Sequence, residues 1–214
     1  MRALLFCGVL ALTTAVQAFA GGETATSGKK EVAPADEFPF TWGSKELEVG
    51  VGGFGSLGTK GTGERPDVTL VLGQIRYGMM LSNPLGSGLL RGNVEGLLEA
   101  YGAGIAEGPG DEIIGAGFIL RWNFVQPNAH IVPFIQIEGG GAYSDMAEDD
   151  AVQHLLGQDF SFTFGGEVGL RWMVSRRFSI TGGVEYRHTS NADMADRNRG
   201  LNVLGGTIGA SFFF

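Results

Sequence analysis

Polarity that alternates residue by residue is the feature that most limits what this chain can become. From Lys45 onward it recurs in eight segments: 45–55, 67–81, 91–103, 112–125, 131–144, 160–173, 178–191 and 202–214. Alternation with period two puts successive side chains on opposite faces of a strand, so each segment reads as a strand with one apolar face. The sixth is the clearest, with Phe160, Phe162, Phe164, Val168, Leu170 and Trp172 interleaved with Ser161, Thr163, Glu167 and Arg171. In the second, Val68, Leu70 and Leu72 are followed at the same parity by Gln74 and Arg76, which predicts a bulge or register change there.

Amphipathic strands also build soluble sandwiches, and three features favour a membrane barrel instead. Full charges sit at mid-strand on the polar face: Glu48, Glu95, Glu99, Glu138, Glu167 and Glu185 against Arg76, Arg121, Arg171 and Arg187. The connections alternate between long (57–66, 104–111, 145–159, 192–201) and short (82–90, 126–130, 174–177), as outer loops and periplasmic turns do. Aromatic residues gather at strand ends, among them Trp122, Phe124, Tyr143, Trp172, Phe178 and the closing Phe212-Phe213-Phe214, like an interfacial girdle. The expected fold is all-β, an eight-stranded antiparallel up-and-down transmembrane β-barrel over 45–214. Eight strands leave a lumen that side chains fill, so the opposed Glu and Arg residues should form an internal ion-pair network and no conducting pore.

The chain begins with Met1-Arg2, continues uncharged from Ala3 to Val16, and reaches Ala18-Phe19-Ala20 before Gly21. One positive charge, a short apolar run and a small-x-small site predict a secretory signal peptide over 1–20. The only cysteine, Cys7, falls inside it, so the segment beyond has no disulfide, thiolate nucleophile or cysteine metal ligand. Residues 21–44 read as an irregular leader in which Phe38, Phe40 and Trp42 suit either a membrane interface or the end of a barrel. A formal net charge of −8 argues against nucleic acid as a partner. No later stretch is long and apolar enough to span a bilayer as a helix. An exported membrane protein of this composition must therefore cross the bilayer with strands.

One polar cluster is out of place. In Val184-Glu185-Tyr186-Arg187-His188-Thr189-Ser190-Asn191, the residues His188 and Ser190 continue the apolar face begun by Val184 and Tyr186. Side chains at i and i+2 of a strand lie roughly 7 Å apart on one face. Strand direction, taken from the short turns, puts the pair at the outer end of the seventh strand. A serine needs an adjacent base to act as a nucleophile, imidazole suits neutral pH, and a third group must hold the ring. Asn191 is a candidate amide donor to an oxyanion. A His-x-Ser pair resting in the polar headgroup zone without any chemistry fits this pattern equally well.

The stretch Tyr186-Arg187-His188-Thr189-Ser190-Asn191-Ala192, one strand before the C-terminus of an eight-stranded pattern, resembles the lipid A 3-O-deacylase (PagL-type) family. The residue-level match spans about 186–202. The resemblance implies an outer-membrane esterase of a Gram-negative bacterium that removes the 3-linked acyl chain from the lipid A of lipopolysaccharide. It implies His188 as general base, Ser190 as nucleophile and Asn191 as oxyanion donor, with no cofactor and no metal. The family's acidic triad member lies fourteen residues after the histidine, where this chain has Gly200-Leu201-Asn202. Asn202 shares the parity of Leu204 and Ile208 and should stand on the outer wall near His188; an asparagine can orient an imidazole but brings no charge. Asp193, which replaces a family glycine, and Asp196 are substitute carboxylates. The runner-up is a non-enzymatic barrel for adhesion or envelope structure with a degenerate site. A third reading, an acyltransferase that draws a phospholipid chain inside, conflicts with a charged lumen.

His130 is expected at the periplasmic rim. His154 falls in an acidic loop with Asp145, Glu148, Asp149, Asp150 and Asp159, which reads either as a solvated loop or as a site for divalent cations bridging lipopolysaccharide phosphates. The partners expected are lipid A and the outer-membrane bilayer. A homodimer stays open.

Overall fold

The computed structural model describes residues 39–57, 67–148, 155–196 and 198–214. Eight strands run in sequence order: β1 (Lys45–Ser56), β2 (Thr69–Met80), β3 (Asn93–Glu107), β4 (Glu112–Asn123), β5 (Ile131–Ser144), β6 (Phe160–Met173), β7 (Phe178–Ser190) and β8 (Leu201–Phe213). Each pairs antiparallel with its neighbours in sequence, and β8 closes on β1. Closure leaves no sheet edge exposed, the condition under which strands can occupy a bilayer. The expected signal segment lies outside the described residues, as does the leader up to Phe38.

Parity sorts the two walls. Val51, Val71, Ile75, Leu98, Ile137, Phe164 and Val168 point outward and are exposed, while the alternate residues are buried in the lumen. A sheet whose apolar face is the exposed one is stable in lipid and not in water. Apart from tyrosines and residues at strand ends, the outward set is apolar or glycine, with one exception near the end of β7.

The lumen has three layers. At the short-turn end Phe40, Met80, Val125, Val132, Met173 and Phe213 form an apolar plug, with the rings of Phe40 and Phe213 6.0 Å apart. Phe40 thus packs against the barrel end, whereas Trp42 is exposed. The middle layer is the predicted ion-pair network. Arg76 meets four carboxylates, Glu99 at 2.9 Å, Glu48 at 3.0 Å, Glu167 at 3.3 Å and Glu185 at 3.4 Å. Arg187 reaches Glu185, Glu138 and Glu99, while Arg121 and Arg171 share Glu46. Buried charges persist only when paired in this way.

The third layer was not anticipated. Beyond the charges, towards the long loops, the lumen becomes apolar again with Phe54, Leu70, Leu72, Ile113, Leu201 and Val203, and Leu155 and Leu156 of the 145–159 loop close it from above. Gly115 makes room there for the Tyr101 ring, since a Cβ at that position would overlap it. Arg187 in turn lies 4.2 Å above the ring, a cation–π contact.

Two expectations are corrected. No bulge occurs at Gln74 and Arg76: β2 keeps strict parity to Met80, and what changes is the layer its inward residues enter. The irregularity in that pairing lies between Thr69 and Leu70. Connection lengths also alternate less cleanly than predicted. β3 continues to Glu107, so the turn before β4 is only 108–111, and the 81–92 connection carries a short 3-10 turn, Gly88–Leu90. The ends of the barrel are distinguished by the loops 145–159 and 191–200 against the turns 124–130 and 174–177.

Candidate active site

The outward residues at the long-loop end of β7 are Tyr186, His188 and Ser190, all half-buried. Pairing with β6 sets Phe164 opposite His188 and Phe162 opposite Ser190, and pairing with β8 sets Asn202 opposite His188. Phe164, His188 and Asn202 therefore form a row across three strands at one height. The imidazole lies between the Phe164 ring, 5.0 Å away centre to centre, and the Asn202 carboxamide. Nδ1 of His188 is 2.7 Å from Oδ1 of Asn202. The same oxygen accepts a hydrogen bond of 2.7 Å from the hydroxyl of Tyr186.

A carboxamide oxygen can only accept, so the proton of this bond sits on Nδ1 of His188 and leaves Nε2 as the basic nitrogen. The loop returning from β7 presses against the ring. Gly200 has φ +63°, and a Cβ there would stand 3.0 Å from Cε1 of His188, tighter than ordinary contact. Glycine meets both demands, being unstrained in the left-handed region and leaving space for the imidazole.

Asn191 is placed differently from expectation. One residue beyond Ser190, it falls on the opposite parity and turns into the barrel mouth, where it is fully buried. Its Nδ2 donates to the Leu156 carbonyl and its Oδ1 accepts from the backbone N–H of Asp193. The side chain is thus turned away from the wall that carries His188, because strand alternation cannot put residues 190 and 191 on one face. The bond instead ties the 145–159 loop to the end of β7, seconded by the backbone bond from Arg199 to Leu155.

The substitute carboxylates are not on the imidazole. Asp193 accepts from Nδ2 of Asn198, and both Asp193 and Asp196 are exposed in the 191–200 loop. His130 is at the short-turn end, with Nδ1 3.2 Å from the Met173 carbonyl. His154, Asp149 and Asp150 lie outside the described residues. Asp145, from the same acidic loop, accepts from the backbone N–H groups of Asp111 and Glu112 and so caps the 108–111 turn.

Sequence reasoning assigned no role in this neighbourhood to Tyr186, Phe164, Gly200 or Leu156. Tyr186 carried a usable signal, since it shares the parity of His188. The others depend on strand register or loop path, which alternation does not encode.

A closed eight-stranded barrel with an apolar outer wall and an ion-paired lumen defines an integral outer-membrane β-barrel protein. A family model described as lipid A 3-O-deacylase (PagL) matches residues 76–211, more than half of the chain. The chain belongs to that family. Among solved structures, the outer membrane enzyme PagL matches with a TM-score of 0.52 and 17% identity, over 78% of this chain and 98% of that one. Neisserial surface protein A (NspA) matches with a TM-score of 0.53 and 12% identity, over 80% and 99%. At such identities the likeness is one of fold. No curated protein matches the sequence significantly.

Proposed function

We propose that this protein is an outer-membrane serine esterase of a Gram-negative bacterium that removes the 3-O-linked acyl chain from lipid A. In this reading residues 1–20 direct export, the strands cross the membrane repeatedly, and the long loops face outward. The observation that carries it is the His188–Asn202 hydrogen bond on the outer wall, two residues from Ser190. Family membership supplies the substrate class.

The chemistry follows from the tautomer. Nε2 of His188 takes the Ser190 hydroxyl proton as Oγ attacks the ester carbonyl carbon. The tetrahedral intermediate collapses, the bond to the sugar oxygen breaks, and His188 returns the proton to that oxygen. Water then attacks the acyl-serine with His188 again as base, releasing the fatty acid and restoring Ser190. Asn202 holds the ring but adds no negative charge to steady the imidazolium. Phe164 packs against one side of the ring. The pair's position at the long-loop end suits an ester near the boundary between sugar headgroups and acyl chains.

The absence of a carboxylate bonded to His188, among the described residues, favours one alternative: a barrel with adhesive or envelope-structural function and a degenerate site. Mass spectrometry of lipid A from cells expressing the protein separates the two. Loss of the 3-linked chain with the parent protein, abolished by His188→Ala and by Ser190→Ala, is the expected result. Unchanged lipid A with a properly inserted parent barrel would overturn the esterase reading.

A further inference from the structure

Asn202 presents a carboxamide to His188, and a carboxamide has a sense of direction. One end accepts hydrogen bonds and the other donates them, whereas the two oxygens of a carboxylate are equivalent. With its oxygen towards His188, Asn202 accepts from Nδ1–H and leaves Nε2 basic. Reversed, its NH2 group would donate to Nδ1, drive the ring proton to Nε2, and disable the imidazole as a base towards Ser190. An asparagine at this position therefore requires something to select its rotamer, a requirement that an acidic residue would not have.

Tyr186 is placed to make that selection. Its hydroxyl donates to the same Asn202 oxygen at 2.7 Å, matching the 2.7 Å from His188 Nδ1. Together the two donors occupy both lone pairs of the carbonyl. The cross-strand neighbours of Tyr186 are Gly166 and Leu204, which carry no acceptor side chain. A reversed carboxamide would donate to the phenol oxygen and leave the phenol proton facing these apolar neighbours on the outer wall, a half-buried donor without a partner.

We propose that Tyr186 is a positioning residue whose hydroxyl locks the Asn202 carboxamide with its oxygen towards His188, so that asparagine can orient the base where the family uses an acid. The consequence for turnover rests on the esterase reading. The consequence for the tautomer does not, and the test is chosen accordingly.

The full-length barrel in detergent micelles, with its histidine rings labelled with 15N, reports the tautomer directly. The chain has three histidines, and a His188→Gln sample assigns the signal. The parent protein should show His188 protonated at Nδ1. In Tyr186→Phe the Nε2-protonated form should become a major species. The kcat for lipid A deacylation should fall about tenfold, with KM changed less than about twofold, as expected when one hydrogen bond is lost. In an Asn202→Glu background, where both ends of the side chain accept, Tyr186→Phe should cost less than about twofold by the same reasoning. Tyr186→Met provides the same tautomer readout if the phenylalanine variant does not insert. An unchanged tautomer in a folded variant lacking the hydroxyl would overturn the proposal, whatever the activity. A tautomer shift in Tyr186→Phe, together with a parent protein that leaves lipid A intact, would uphold the positioning role and overturn the esterase reading alone.

Discussion

Oδ1 of Asn202 lies 2.7 Å from Nδ1 of His188, across a pair of strands in which these residues face each other directly. The contact is a matter of register. A slip of one residue in the β7–β8 pairing would turn Asn202 into the lumen and leave the imidazole without its partner. Register here is held by the closed ladder on both sides and by the buried parity of Leu201 and Val203, which fill the upper lumen behind the site. The packing of the apolar layer and the geometry of the outer wall are thus two faces of the same strand.

Replacing Asn202 tests its role directly. Asn202→Ala removes the acceptor from Nδ1 and should lower kcat by roughly tenfold to ten-thousandfold, the range between one lost hydrogen bond and a lost triad orienter. Asn202→Glu supplies both an acceptor and a charge for the imidazolium and should match or exceed the parent. Steady-state rates of fatty-acid release from purified lipopolysaccharide measure both. If neither substitution changes the rate, Asn202 has no part in the mechanism.

Asn191 should act through the loop it holds. Asn191→Ala removes the donor to the Leu156 carbonyl and frees the Leu155-Leu156 stretch from the end of β7. The expected outcome is faster protease cleavage within that loop and a loss of about tenfold in activity, on the scale of a buried hydrogen bond. Leu156→Ala, which withdraws the buried leucine from the same closure, should reproduce both effects. A loss of a hundredfold or more confined to Asn191→Ala, with the loop still protected, would return the residue to direct oxyanion stabilisation.

The lumen network makes a separate prediction about stability. Arg76 is buried among Glu48, Glu99, Glu167 and Glu185. Arg76→Met leaves those carboxylates short of a counter-charge and should destabilise the barrel by about 3–5 kcal/mol. Urea unfolding in lipid vesicles, followed by the loss of the folded gel species, measures this. A variant as stable as the parent would mean that water solvates, or bound protons neutralise, the carboxylates without Arg76.

Much of this protein is legible in one dimension because its strands obey a parity rule. The eight strands were readable from alternation, and their bounds were off by at most a few residues, most visibly at β3, which extends to Glu107. The ion-pair network was readable because a charge at mid-strand opposite an apolar face has nowhere to go but the lumen. His188 and Ser190 were conspicuous because they broke the apolar face, and Asn202 followed from its parity with Leu204 and Ile208. The same rule argued against Asn191 as a side-chain donor to that wall, since it occupies the inward parity. Its amide chemistry suited the role, but its direction did not.

Alternation along the chain thus determined the barrel, its apolar outer wall, its charged centre and the face on which His188, Ser190 and Asn202 stand. It does so because a pleated strand has only two sides. What only the tertiary structure decided is who meets whom. The row Phe164–His188–Asn202, the shared oxygen that joins Tyr186 to His188, the close approach of Gly200 and the Leu156 closure all arise from the heights at which strands and loops come together. Hydrogen-bonded register and loop packing set those heights, and neither is a periodic property of the residues themselves.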